Sequence, residues 1–208
     1  NWSGTLANAL LFHNSNLSNL DRAGIVHRLD KNTSGLMVVS KNAKSQKLLA
    51  EQLQTHSVQR EYSAIVYGHR ISGGTIHEAI GRDPRDRVKQ AIISNGKDAL
   101  THFRVIDRFK SHTHVKAILE TGRTHQIRVH LSHIGHPLIG DSVYGGRVRF
   151  PKKASQELKI VLSNFHRQAL HSKKLSLSHP LTGKFMSWKA ELPDDMRELV
   201  NTLRKFDS

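Results

Sequence analysis

The sequence predicts an α+β fold: a largely antiparallel, mixed β-sheet with flanking helices and basic loops. Three observations carry that expectation. Short apolar runs alternate at period two between turn residues, as strands do. Only a few segments hold helical spacing. The strand-like runs follow one another as hairpins would, instead of alternating with helices as a parallel sheet demands. No Gly/Ser tract or long charged block interrupts the 208 residues, so residues 1–208 are expected to form one domain.

In chain order, Ser3 is placed to cap a short helix whose Leu6, Ala9 and Leu10 recur at helical spacing. Gly24 to Asp30 reads as a strand running into a turn, and Leu36-Met37-Val38-Val39 as a buried strand; the two frame Asp30. Lys44 to His56, with Leu48, Leu49 and Leu53, predicts a second helix. Glu61 to Gly68 alternates Tyr62, Ala64 and Val66 on one face, the pattern of a half-buried strand. Four further strands are expected over 75–80, 88–93, 100–109 and 114–120, with Asn95-Gly96 as the hairpin turn between the second and third. Ile127, Leu131 and Ile134 then mark a helix ended by Gly135 and the following His136-Pro137. Leu175 and Leu177 lead into a turn at Pro180-Leu181-Thr182-Gly183, and Phe185 to Ala190 returns as the partner strand. Pro193 opens a closing helix with Met196, Leu199, Val200, Leu203 and Phe206 on one stripe.

Composition narrows the function classes. Lys plus Arg number 32 against 17 for Asp plus Glu, a net charge of +15. Such an excess draws polyanions by releasing their condensed counterions, so a nucleic acid is the natural partner. There is no cysteine, which excludes disulfides, thiolate catalysis, Fe–S clusters and cysteine-ligated zinc. Neither a span of eighteen apolar residues nor a secretory signal is visible, and a cytoplasmic protein that acts as a monomer is expected.

Three segments hold polar residues that fold economy does not explain. In His27-Arg28-Leu29-Asp30-Lys31, positive neighbours favour the charged form of the carboxylate, which suits a nucleophile or base. The plainer alternative is a surface turn with a salt bridge. From Thr121 to His130, Arg123 stands at a turn into a helix N-terminus, where free N–H groups favour a phosphate or carboxylate; a capped helix with solvated basic residues would look the same. In Arg60-Glu61-Tyr62 an aromatic ring on a strand could stack on a base or simply fill the core. Among the fifteen histidines, His125 and His130 fall on different sides of a helix; only His130 and His133 could share a face, and no His-Glu-x-x-His is present, so no metal site is expected.

Taken together, these segments resemble the RluA-type family of pseudouridine synthases nearly end to end. The residues that carry the likeness are Gly24 to Lys31, the Thr-Ser-Gly-Leu-Met-Val-Val run from Thr33 to Val39, Arg60-Glu61-Tyr62, and Glu120 to His130. Gly135 to Asp141, Tyr144-Gly145-Gly146 and Arg167 to His171 complete it. The resemblance implies the pseudouridine synthase catalytic fold and an enzyme that needs no cofactor. It makes Asp30 the catalytic aspartate, Tyr62 the active-site tyrosine and Arg123 the arginine that pairs with the aspartate. Arg28 would help displace the target base and Ile127 would be an apolar wall. His27, Lys31, Thr124, Gln126 and Arg128, which share these motifs, are expected to bind substrate.

The implied substrate is ribosomal RNA, at uridines of a large-subunit hairpin loop. Breaking the N1–C1′ bond, turning the uracil and joining C5 to C1′ requires a flipped-out nucleotide. The carboxylate either captures the cationic sugar or removes a proton at C2′; the sequence leaves both routes open. Arg82, Arg85, Arg87 and Lys89 near one hairpin tip, and Arg147, Arg149, Lys152 and Lys153 in another loop, are expected to clamp the RNA backbone. Relatives carry a Lys-Pro-x-Gly strand, and many an S4-like RNA-binding domain, ahead of the position where this sequence begins; these 208 residues are thus expected to be the catalytic domain without them. Two rivals stand beside this reading. One is a non-catalytic RNA-binding ribosome-assembly factor; the other is a nucleoside glycosylase, which shares the cationic-sugar chemistry.

Overall fold

A computed structural model describes residues 3–69 and 71–207. Its first helix, α1 (Leu6–His13), is capped by Thr5 and not by Ser3: the Thr5 hydroxyl accepts from the Asn8 backbone while the Asn8 side chain accepts from Thr5 N. Two 3-10 turns, over 15–19 and 21–24, carry the chain to the Asp30 segment. The expected strand over 24–30 does not form. Only Ile25 makes a bridge, to Val39, because the backbone turns left-handed before it at Arg22, Ala23 and Gly24 and after it at Asn32. An extended ladder cannot pass through such turns.

The buried strand expected over 36–39 is likewise displaced. The paired residues are β1 (Ser34–Gly35), and Leu36 to Val39 continue as a half-buried segment. Next come α2 (Ala43–Gln54), capped by Asn42, and β2 (Gln59–Tyr67). β3 (Gly74–His77), β4 (Ile80–Arg82), β5 (Gln90–Ile92), β6 (Leu100–Arg108) and β7 (His112–Leu119) follow, then α3 (Gln126–His133). The chain closes with α4 (Gln156–Asn164), β8 (Leu170–Ser178), β9 (Phe185–Lys189) and α5 (Asp194–Phe206).

The main sheet runs β1-β8-β2-β7-β6-β3, with β9 also paired to β8. The β1–β8 pair is parallel and every other pair in it is antiparallel, so the sheet is mixed as expected. β8 gives one edge to β2; its other edge is shared by β1 at residues 171–172 and β9 at residues 174–178. β2 is central, which corrects the half-buried expectation: Ser63, Ile65 and Tyr67 are buried as fully as Tyr62, Ala64 and Val66. The turn before Gly96 forms, with Gly96 N–H donating to Ile93, yet it does not close a hairpin. β5 pairs with β4 in a separate two-stranded ribbon, while β6 pairs with β3 and β7.

Two cores sandwich the sheet. On one face Tyr62, Ala64 and Val66 pack with Ile127 and Leu131 of α3; on the other Ile65 and Tyr67 pack with α4 and α5. The α5 stripe buries Met196, Leu199, Val200 and Leu203 as the sequence predicts. Helix α4 was not expected. It buries Leu158 and Leu162 over nine residues, too few turns for the period to stand out. α2 joins Leu49 to Leu175 and Leu177 of β8 and to Val26, Leu36 and Val38, anchoring the chain on both sides of Asp30.

Candidate active site

A cavity of about 460 Å³ opens between the 26–33 segment, α2, β2 and the lead-in to α3. Asp30 stands on its wall because Thr33 N–H closes a turn back onto the Asp30 carbonyl, and Gln168 pins that turn through the Lys31 carbonyl and the Thr33 hydroxyl. Its carboxylate receives Arg128 Nη1 at 3.2 Å, and Arg128 in turn donates Nε and Nη2 to both oxygens of Asp141, at 2.7 and 3.0 Å. The Asp141 side chain is fully buried and also accepts the backbone N–H groups of Val143 and Tyr144. Burial opposes the charge on Arg128, but the hydrogen bonds and charges of Asp141 and Asp30 outweigh it and raise its pKa. The result is a cation locked in place by one carboxylate and offered to the other.

The arginine expected to pair with Asp30 was Arg123, and here the structure corrects the sequence. Arg123 reaches the cavity wall, but its Nε donates to the Asp98 carbonyl. Arg128 lies on α3 itself, one residue beyond Ile127, and makes the ion pair. The lead-in explains the exchange. His125 takes the left-handed conformation at φ +58, while Gln126 is buried and saturated: it accepts from the Thr121 hydroxyl and Arg123 N–H and donates to Leu100 and Thr101. Gln126 therefore builds the turn and has no group left for substrate, contrary to expectation.

Tyr62 and Ile127 face the cavity as predicted, with Leu29, Leu119 and Leu170 completing an apolar wall. Burial raises the Tyr62 pKa; Arg60 and a hydrogen bond from Ser172 oppose this, and Asp30 adds to it. The phenol thus stays protonated, and its ring is part of the buried core while bordering the cavity. Arg28 and Thr124 line the same cavity. The Lys31 side chain is exposed and is not among the lining residues. His27 borders the cavity, but its Nε2 accepts the Val38 N–H at 2.9 Å, so it braces the loop and leaves only Nδ1 free. Burial, then the charge of Arg60, lower its pKa to about 4.

Sequence reasoning passed over three residues here. Tyr144 lies under the Arg128 guanidinium at 4.9 Å, accepts from Gln90 N–H and is within 2.8 Å of His125 Nδ1, so it ties the β4–β5 ribbon to the ion pair. Asp141 anchors Arg128, and Arg60 lines the cavity on the same face of β2 as Tyr62. The motif Gly140-Asp141 with Tyr144-Gly145-Gly146 was a signal for the first two. Of the backbone-binding candidates, Arg82, Arg85 and Arg87 are exposed around the β4–β5 connection, while Lys89 sits 3.7 Å from Asp86. Arg147, Lys152 and Lys153 are exposed in the second loop, and Arg149 packs on the Tyr67 ring at 5.4 Å.

With this geometry in view, a family comparison is decisive. The family described as RNA pseudouridylate synthase matches residues 4–133, and the chain belongs to it. Particular relatives sharpen the likeness. The chain is 55% identical over 202 residues to the ribosomal large subunit pseudouridine synthase D of Pseudomonas aeruginosa, covering 97% of this chain and 63% of that one. It is 50% identical over 204 residues to the protein of the same name from Escherichia coli K12, covering 98% and 63%. It therefore spans less than two thirds of the length of these relatives. Among solved structures, human RNA pseudouridylate synthase domain containing 4 matches with a TM-score of 0.70 and 27% identity, over 86% of this chain and 75% of that one.

Proposed function

We propose that residues 1–208 are the catalytic domain of an enzyme that isomerises uridines to pseudouridines in large-subunit ribosomal RNA, working as a monomer in the cytoplasm. One observation carries the reading: a carboxylate, Asp30, fixed by the Arg128–Asp141 lock on the wall of a cavity whose other wall is apolar and bears Tyr62. A flipped uridine would place its base against Tyr62, Ile127 and Leu170 and its sugar toward Asp30. Asp30 then captures C1′ as the glycosidic bond opens, or takes the C2′ proton; either role needs the carboxylate held in position, which the Arg128 contact supplies. Tyr62 serves as the platform on which the freed base turns. The exposed arginines of the β4–β5 connection and of the 147–153 loop would hold the backbone of a hairpin loop.

Pseudouridine formation expels the C5 hydrogen, so tritium release from RNA labelled at C5 reports the reaction. The chain is expected to release label from large-subunit RNA, and Asp30→Asn to release none. Free uracil among the products would assign a glycosylase instead. Absence of release from every ribosomal RNA, with binding intact, would assign a non-catalytic binding protein.

A further inference from the structure

Arg60 is a buried cation without an anion. It is 7% exposed, and among the described residues no carboxylate forms an ion pair with it. Nη2 donates to the Glu120 carbonyl at 3.0 Å, and Nε is buried with no partner at all. The surrounding structure makes room for this group: a Cβ at Gly122 would stand 2.5 Å from Arg60 Nη1, so a larger residue there would push the guanidinium from its present place. A buried charge of this kind works against folding, and an apolar side chain of similar size would be better tolerated. Its position suggests what offsets the cost. Arg60 shares a face of β2 with Tyr62 and lines the cavity beside Leu119, Ile127 and Leu170.

We propose that Arg60 is a further catalytic residue, whose guanidinium stabilises the negative charge that develops on the uracil when the N1–C1′ bond breaks. The inference rests on the isomerase reading of this same cavity. Heterolysis leaves the electron pair on N1, from which it spreads onto the O2 and O4 carbonyls. The sugar is balanced by capture of C1′ by an Asp30 oxygen, or by transfer of the C2′ proton to Asp30. On both routes the base is an anion until its C5 electron pair forms the new bond to C1′; on the first route the Asp30–C1′ bond breaks and returns its electron pair to the carboxylate, and on the second the proton returns to C2′. The C5 proton then leaves to solvent and N1 takes one up, so no atom or electron is gained or lost overall. A cation already stripped of water, facing a planar apolar slot, is the kind of group that stabilises such a transient oxyanion. A phosphodiester fits poorly, since it would have to bring a hydrated, non-planar group among Leu119, Ile127 and Leu170.

The test compares wild type, Arg60→Gln and Arg60→Lys under single turnover on two RNAs, one carrying uridine and one carrying 5-fluorouridine at the target. Fluorine at C5 makes the base a better leaving group by itself. Because it also blocks loss of a C5 proton, loss of the starting N-nucleoside is followed by nuclease digestion and chromatography. Arg60→Gln is expected to slow conversion of uridine RNA about 100-fold and that of fluorouridine RNA about ten-fold or less, with Arg60→Lys between it and wild type on uridine. Its thermal stability is expected to match or exceed that of wild type. Equal deficits on both RNAs, or a loss of stability that Arg60→Lys does not restore, would assign Arg60 to structure and overturn the proposal. Wild type inactive on both RNAs would remove the reaction itself, and the role of Arg60 with it.

Discussion

At position 30 a carboxylate meets Arg128 at 3.2 Å, and the same guanidinium is gripped by Asp141 behind it. That arrangement divides labour: Asp141 fixes the cation, and the cation fixes the Asp30 oxygen pair. His27, three residues upstream, does a similar service for the backbone, and its chemistry yields a pH prediction. Its pKa is lowered from 6.5 to about 4, by burial first and by Arg60 second. The unfolded chain therefore binds a proton before the folded one does. The stability contributed is complete above pH about 6.5, falls as pH drops and is fully lost below about 4, by about 3 kcal/mol. Urea midpoints between pH 7 and 4 should fall less steeply for His27→Gln than for wild type; parallel curves would contradict this account of His27. The sequence motifs around Asp30 and Tyr62 left a surface turn and a core-filling ring open as alternatives; the structure puts both residues on the wall of one cavity. The exchange of Arg123 for Arg128 was not legible in the sequence. Both are basic residues of one motif, and which one reaches Asp30 depends on the left-handed backbone at His125.

Among the elements, β1 is the smallest and the most consequential. Two residues pair in parallel with His171 and Ser172, four positions after Asp30, and set where the Asp30 turn leaves the sheet. The pairing is close enough that Gly35, at φ +109, has the Ser172 carbonyl 2.3 Å from where a Cβ would be. Gly35→Ala must break this contact, at a cost of at least about 2 kcal/mol. Isomerisation should fall with it, and an unchanged urea midpoint would show that the pairing is dispensable. Periodic elements such as α5 could be read directly, since four buried apolar residues repeat along one stripe. β1 could not, because a two-residue parallel pair has no period and its partner lies about 137 residues away, beyond any local pattern. The segment before it misled for a related reason: Gly24 to Asp30 has strand-like residues, but left-handed backbone at Arg22, Ala23 and Gly24 and again at Asn32 interrupts it, which no local pattern reveals.

Across the whole molecule the charge of +15 is the expected driver of the proposed RNA binding. The cavity alone is too small to hold more than a nucleotide, so affinity must come from outside it. Val88, 77% exposed, stands beside Arg87 at the tip of the β4–β5 connection, where apolar and cationic groups are presented together. Through Gln90 and Tyr144 this ribbon touches the Arg128 lock: Gln90 N–H donates to the Tyr144 hydroxyl, and the Tyr144 ring lies under the guanidinium that meets Asp30. Arg85→Ala with Arg87→Ala should weaken RNA binding and lower the slope of log affinity against log salt by about 2, the counterions of two phosphate contacts. An unchanged slope would remove both residues from the interface.

The central claim is that the Asp30 carboxylate performs the isomerisation. Its most direct measurement is single-turnover pseudouridine formation by Asp30→Asn, with RNA affinity determined on the same preparation. The expected result is a rate lower by about 1,000-fold or more at nearly unchanged affinity; a rate within a few-fold of wild type would contradict the assignment.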